Sequence, residues 1–126
     1  SVLTKERYPV EYATTEYNMG IAYAILAKVE NRAENCKKAI ECYQEALSVL
    51  TKERYPVDYA TTQNNMGIAY AILAKVENRA ENCKKACQAF NEALTVFTEE
   101  NFPQIHQMIV ENKQKLMRTC ENIDEP

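Results

Sequence analysis

The feature that most constrains this chain is a long internal repeat, because residues 1–47 return almost unchanged as residues 48–94. Eight positions differ, which leaves 47 − 8 = 39 identical. A repeat of this length is typical of a solenoid, in which each unit buries its apolar face against the next copy. The eight differences are Glu11/Asp58, Glu16/Gln63, Tyr17/Asn64, Ile40/Cys87, Glu41/Gln88, Cys42/Ala89, Tyr43/Phe90 and Gln44/Asn91.

The apolar spacing within each unit predicts a pair of helices. Residues that recur at intervals of three and four form one stripe, at Cys36, Ala39, Ile40, Tyr43, Ala46, Leu47 and Leu50. A second amphipathic face precedes it, formed by Ala13, Met19, Ala22, Tyr23, Leu26 and Ala27. The two faces can cover each other, which predicts a helical hairpin in each unit.

Local signals predict where these helices begin. The pairs Tyr8-Pro9, Tyr55-Pro56 and Phe102-Pro103 indicate helix starts, since proline suits a first helical turn and disfavours helix in the residue before it. The segment 31–34 (Asn-Arg-Ala-Glu) and its copy 78–81 indicate capping boxes, in which the asparagine side chain accepts from an unpaired amide and the glutamate reaches back.

We therefore predict one all-α domain, an α-solenoid of antiparallel helix pairs with a C-terminal capping helix. Its predicted parts are the tail of a preceding helix (1–8), repeat 1 (9–52), repeat 2 (56–99), the capping helix (103–120) and an acidic tail (121–126). Lys113 and Gln114 stand where repeat 2 has Met66 and Gly67, and polar residues suit a terminal helix that meets water. The start in mid-repeat indicates part of a longer or engineered array.

Composition argues against several classes of function. The net charge is −3, and no segment has the clustered basic charge that nucleic-acid binding requires. The longest apolar runs, such as residues 21–27, are too short to span a bilayer. The five cysteines are odd in number and include no Cys-x-x-Cys pair, which argues against a disulfide framework and favours the cytoplasm.

The residues of each unit resemble the tetratricopeptide repeat (TPR). An apolar residue and glycine precede a tyrosine in the first helix, and alanine, an aromatic residue and alanine follow in the second. Glycine and alanine allow helices to approach closely, and the aromatics fill the space between them. This packing signature comprises Met19, Gly20, Tyr23, Ala39, Tyr43 and Ala46, with Met66, Gly67, Tyr70, Ala86, Phe90 and Ala93 in repeat 2. The 47-residue period makes it a long variant of the family.

The resemblance implies a protein-interaction module that binds a peptide or protein partner in a concave groove lined by the first helix of each unit. The implied groove positions are Thr14, Tyr17, Asn18, Ile21, Ala24 and Ile25 in repeat 1, Thr61, Asn64, Asn65, Ile68, Ala71 and Ile72 in repeat 2, and Asn112. Asn18, Asn65 and Asn112 form a ladder whose amides could bind a peptide backbone, or could instead bond to a neighbouring helix.

Two further groove features follow from the sequence. Tyr17 stands where repeat 2 has Asn64, so it could be an aromatic anchor for a partner or a packing residue. Relatives that grip a C-terminal carboxylate do so with basic residues beside such asparagines. Only Lys115 approaches this groove from the third copy, so the sequence does not favour a carboxylate clamp.

No recognisable catalytic set is present, so we expect no enzymatic activity, no cofactor and no metal. Cys83 and Cys87 lie four apart and could hold a metal with His106 or Cys120, but small apolar thiols in a helix interface are the favoured interpretation. His106 is the single histidine, and the chain has no phosphate-binding loop.

The alternative function is a self-assembling structural or spacer element without a specific peptide ligand. The first helix of repeat 1 lacks a full preceding neighbour, so its apolar face is open. A second copy could cover that face and give a closed homodimer.

Overall fold

The structure, a computed structural model, describes residues 4–121. It contains the helices α1 (Pro9–Leu26), α2 (Arg32–Leu47), α3 (Pro56–Ala74), α4 (Arg79–Leu94) and α5 (Pro103–Cys120), with no strand among the described residues. The prediction of an all-helical chain is confirmed. Over the same residues, no helix combines the length and the apolar character needed to cross a membrane.

Proline sets the start of α1, α3 and α5. Pro9, Pro56 and Pro103 each occupy the first turn, as predicted. The residue before each proline is not helical, with φ between −131° and −139° and ψ of 64° to 65°. The missing amide hydrogen of proline costs nothing at this position, because a first-turn amide has no partner within the helix.

The predicted capping boxes are wrong. Asn31 and Asn78 adopt left-handed backbone conformations, with φ of 43° and 45°, and their side chains make no capping hydrogen bond. Instead, the Asn35 side-chain amide donates to the Glu30 carbonyl oxygen at 2.9 Å, which ties the first turn of α2 to the preceding loop, and the Asn82 side chain makes the same bond to Glu77 in repeat 2. Asparagine is used here because it tolerates positive φ better than most residues.

Residues 1–8 were predicted to be the tail of a preceding helix. Residues 4–8, the part of this segment that the structure describes, are not helical. Residues 4–8 form a turn closed by a bond from the Tyr8 amide to the Thr4 carbonyl at 2.9 Å. The same turn recurs at 51–55 and 98–102. At 51–55 and 98–102 this turn connects one hairpin to the next helix. Residues 1–3, and the acidic tail beyond Glu121, lie outside the described residues.

Each helix packs against the next one along the chain, and α3 also contacts α1 and α5. The hairpins are antiparallel, because the start of α1 lies beside the end of α2, where the Tyr12 hydroxyl donates to Glu45 at 3.1 Å. Tyr59 and Glu92 repeat this bond between α3 and α4. Two copies of one sequence have therefore folded into two copies of one hairpin.

The glycines of the packing signature lie directly under aromatic rings. A Cβ atom on Gly20 would lie 2.6 Å from the Tyr43 ring, and one on Gly67 would lie 2.8 Å from the Phe90 ring. Both rings are buried, at 2% and 1% exposure. The four signature alanines of α2 and α4 are fully buried beside them. Glycine is thus required by the close approach of the two helices of each hairpin.

The same side chains have different surroundings in α1 and α3. Tyr70 and Leu73 of α3 are 8% and 4% exposed because α2 covers them. Their counterparts in α1 form what we call the outer face of α1, a shallow cleft lined by Met19, Ala22, Tyr23 and Leu26. Met19 and Leu26 are 42% and 36% exposed. The two signature residues Met19 and Tyr23 therefore do not pack between repeats.

A disulfide joins α4 to α5, although the sequence argued against one. Cys83, near the start of α4, is bonded to Cys120 at the end of α5, with their Cα atoms 6.0 Å apart. Cys36, Cys42 and Cys87 are free. The odd cysteine count hid this pair, since one disulfide leaves 5 − 2 = 3 free thiols.

Candidate partner-binding groove

Side chains from α1, α3 and α5 line three neighbouring clefts. Two lie between α1 and α3, with volumes of about 230 and 240 Å³, and the third lies between α3 and α5, with a volume of about 240 Å³. Ile68 and Ile72 line both the first and the third cleft. On α1, Ile21 of the first cleft lies one turn from Tyr17 of the second. The three clefts therefore form one continuous surface, here called the groove.

Most residues that the resemblance assigned to the groove line these clefts. Thr14, Tyr17, Asn18 and Thr61 line the second cleft. Ile21, Ala24, Ile25, Asn65, Ile68 and Ile72 line the first, while Ala71 and Asn112 line the third. Asn64 is the exception, since it is only 6% exposed and lines none of the three. Among these assigned residues, Ile25 and Ile68 have the most exposed apolar side chains, at 60% and 37%, and Val10 in the second cleft is 38% exposed.

The asparagine ladder is partly used inside the molecule. The Asn65 amide donates to the Tyr17 hydroxyl at 3.0 Å, and the Asn112 amide approaches the Asn64 side-chain oxygen at 3.5 Å. Each bond joins a helix to the equivalent helix of the unit before it. Of the two roles left open by the sequence, bonding to a neighbouring helix is therefore the one observed for Asn65 and Asn112. Asn18 is exposed at the end of the ladder.

Tyr17 and Asn64 fill the same position in different ways. Tyr17 accepts the bond from Asn65, and its ring lies 6.1 Å from the Tyr43 ring at a tilt of 52°. It also lines the second cleft, so it both packs and faces the groove. The smaller Asn64 is buried and reaches Asn112 instead. Tyr17 and Asn64, the one pair of groove positions at which the repeats differ, therefore each contact the following repeat.

The groove contains two lysines that the sequence interpretation missed, in addition to the expected Lys115. Lys28 lines the first cleft, and Lys75 lines the third together with Lys115. Among residues 4–121, no ion pair involving these three lysines is found. Lys28 and Lys75 are equivalent positions, so the repeat itself could have indicated them. Asp58 lies in the second cleft, where three threonines, Tyr17 and Asn18 supply the other polar groups. The groove therefore has an apolar floor of isoleucines, with basic side chains beside the first and third clefts.

The thiols and the histidine have structural roles. Burial raises the pKa of the Cys36 thiol, and burial together with the neighbouring Glu16 raises the pKa of Cys42 to about 11. Both thiols are therefore protonated and weakly nucleophilic near neutral pH. The His106 ring nitrogen Nδ1 lies 2.9 Å from the Phe97 carbonyl oxygen. Within residues 4–121, no three side chains of the metal-binding types are grouped together.

The fold and the groove define an all-helical protein of tandem repeats. The chain belongs to the family described as "Uncharacterized protein conserved in bacteria" (DUF2225), whose model matches residues 1–116. No curated protein and no solved structure matches the chain.

Proposed function

We propose that the chain is a tetratricopeptide-like solenoid that binds a peptide or protein segment along the groove and has no enzymatic activity. The observation that carries this proposal is the continuity of the groove across α1, α3 and α5. Because these three helices occupy equivalent positions in successive units, an extended partner could contact each of them in turn. The proposed location is the cytoplasm. The three free thiols support this location, whereas the disulfide is more typical of an oxidising compartment.

The composition of the groove supports a partner segment with apolar and acidic side chains. Ile25 and Ile68 offer exposed apolar surface that a partner would remove from water. Lys28, Lys75 and Lys115 would then neutralise carboxylates placed beside these apolar anchors. A basic partner would meet like charge at the same lysines.

The test is a selection of displayed random peptides on the intact protein, followed by affinity measurements on the enriched sequences. We expect enriched peptides to combine apolar residues with Asp or Glu. Ile68→Glu should weaken their binding at least tenfold, which corresponds to about 1.4 kcal/mol, because it places a carboxylate in two clefts at once. Val29→Glu is the matched control, since Val29 is 79% exposed and lines no groove cleft. Equal effects of the two substitutions would contradict the proposal.

A second candidate function is assembly, either as a homodimer or as a spacer without a peptide ligand. It is supported by the outer face of α1, where Met19 and Leu26 present apolar surface. Light scattering over a wide concentration range tests it, since a closed homodimer would double the mass of the 14.5 kDa chain. A constant monomer mass would contradict homodimerisation.

A further inference from the structure

The outer face of α1 has an exact sequence copy elsewhere in the molecule whose occupant is known. Residues 18–36 are identical to residues 65–83, so Met19, Tyr23 and Leu26 recur in α3 as Met66, Tyr70 and Leu73. In α3 this surface lies in the main core cluster with Cys36 and Ile40 of α2. The molecule therefore shows what kind of element this surface binds.

Polar contacts make the occupant of the α3 surface specific. The Gln44 amide of α2 donates to the Tyr70 hydroxyl at 3.2 Å, and the Lys37 ammonium lies 2.7 Å from the Glu77 carboxylate, just beyond the end of α3. The equivalents of Tyr70 and Glu77 on repeat 1 are Tyr23 and Glu30. Both acceptors of the α2 side chains are thus copied beside the outer face of α1.

The outer face of α1 is already arranged for binding. The Lys38 ammonium lies 5.6 Å from the centroid of the Tyr23 ring, and its copy Lys85 lies 5.8 Å from the centroid of the Tyr70 ring. Tyr23 is therefore held as Tyr70 is held, although no helix covers it among the described residues. A side chain that needs no rearrangement loses less entropy on binding.

On this basis, we propose that the outer face of α1 binds an amphipathic helix with the side-chain pattern of α2. In α2 the lysine precedes the apolar residue by 40 − 37 = 3 positions and the glutamine by 44 − 37 = 7, which places all three on one helix face. The apolar residue covers Met19 and Leu26, the glutamine bonds to Tyr23, and the lysine pairs with Glu30. This inference rests on the repeat stacking proposed above, but not on the groove.

The probe is a synthetic peptide of residues 31–50, blocked at both ends, with its two cysteines replaced by alanine and a fluorophore attached. It is titrated with the intact protein and followed by fluorescence anisotropy. A free peptide of this length is a marginal helix, so helix formation should accompany binding and be visible by circular dichroism. We expect saturable binding that Met19→Glu, and independently Leu26→Glu, weakens at least tenfold. Both residues are exposed, so the melting temperatures of these variants should match the parent.

A charge exchange tests the predicted register of the bound helix. The peptide with Lys37→Glu should bind about fivefold more weakly to the parent protein, because it meets Glu30. The Glu30→Lys protein should recover that loss with the altered peptide and bind the original peptide more weakly. Recovery requires the two charges to lie together, so the absence of recovery would overturn the proposed register.

The groove variant separates this inference from the proposed function. Ile68→Glu should weaken binding of the selected groove peptides at least tenfold and leave binding of the α2 peptide unchanged, whereas Met19→Glu should do the reverse. Absence of saturable α2-peptide binding, or loss of that binding with Ile68→Glu, would overturn the inference. It would also be overturned by a homodimer that Met19→Glu dissociates and the peptide does not, since a second copy would then occupy the face.

Discussion

The interface between α2 and α3 and the interface between α4 and α5 occupy equivalent positions in the two repeats, yet their contacts differ. In the first interface, polar side chains bridge the helix edges, with Gln44 on Tyr70 and Lys37 on Glu77. These contacts are partly exposed and non-covalent. Such contacts individually contribute little to stability, so the buried apolar side chains stabilise this interface most.

The second interface is joined covalently. The disulfide between Cys83 and Cys120 connects the two helices, and the Lys113 ammonium donates to Asn91 at 2.8 Å. Cys120 occupies the position that Leu73 occupies in repeat 2, and Cys83 the position that Cys36 occupies in repeat 1. One leucine-to-cysteine difference at a repeated position is thus enough to convert an apolar contact into a bond.

Each interface includes one large and one small core side chain at equivalent positions, and the helix that carries the large one differs between the two interfaces. The first has the large Ile40 on α2 and the small Ala69 on α3, and the second has the smaller Cys87 on α4 and the large Leu116 on α5. Five of the eight repeat differences fall at positions 40–44 of α2 and their copies in α4. The changes in α4 therefore accompany a neighbouring helix, α5, whose sequence differs from that of α3 at most positions.

The largest expected effect comes from breaking the disulfide. A bond that spans 37 residues restricts the unfolded chain, and its loss should lower the free energy of unfolding by about 4 kcal/mol. Urea denaturation with and without reductant measures this, and Cys120→Ser is the control in which reductant should have no further effect. Unreduced, unfolded protein should titrate as three free thiols. Five free thiols would contradict the bond.

A smaller loss of stability should follow from truncating a buried side chain in the same interface. Leu116 is 2% exposed, so Leu116→Ala should cost about 3 kcal/mol of unfolding free energy. Adding Cys87→Ile would copy the size pairing of the first interface and should recover at least about 1 kcal/mol, as a double-mutant cycle would show. Strictly additive effects would mean that the two side chains do not compensate each other.

The smallest expected effect concerns the asparagine ladder. Tyr17→Phe removes the hydroxyl that accepts from Asn65 at 3.0 Å and should cost about 1 kcal/mol. The equivalent bond from Asn112 to Asn64 is longer, at 3.5 Å, so Asn112→Ala should cost less. Thermal denaturation of the two variants compares them directly. A larger loss for Asn112→Ala would show that the second interface depends more on this ladder than its geometry indicates.

The sequence predicted the hairpins because apolar spacing and the Pro9, Pro56 and Pro103 positions are local signals that packing does not override. It did not predict the role of Asn31, since asparagine favours both helix caps and left-handed turns, and only the backbone conformation separates the two. The disulfide could have been found by extending the repeat register to Cys120 opposite Cys83. The register itself was in hand at Lys113 and Gln114, but the odd number of cysteines argued against a disulfide.

The groove residues were predicted through the resemblance, and most of them line the three clefts. The exception, Asn64, is buried because its repeat has a helix on each side, which no single-position pattern reveals. Lys28 was missed because it follows the end of α1, outside the amphipathic stretch used to assign the groove. The outer face of α1 was recognised from the sequence, but its specificity for an α2-type helix required the contacts of the α3 copy.

The duplication also gives Cys120 two chemically equivalent sulfur partners during oxidation, since Cys36 and Cys83 have the same local sequence. In the folded chain Cys36 is 1% exposed within the core that contains Leu73, and burial raises the pKa of its thiol. A protonated, enclosed thiol is a poor nucleophile for exchange. In the folded chain Cys120 is bonded to Cys83, while Cys36 is enclosed with Leu73 and is thereby withheld from the wrong crosslink.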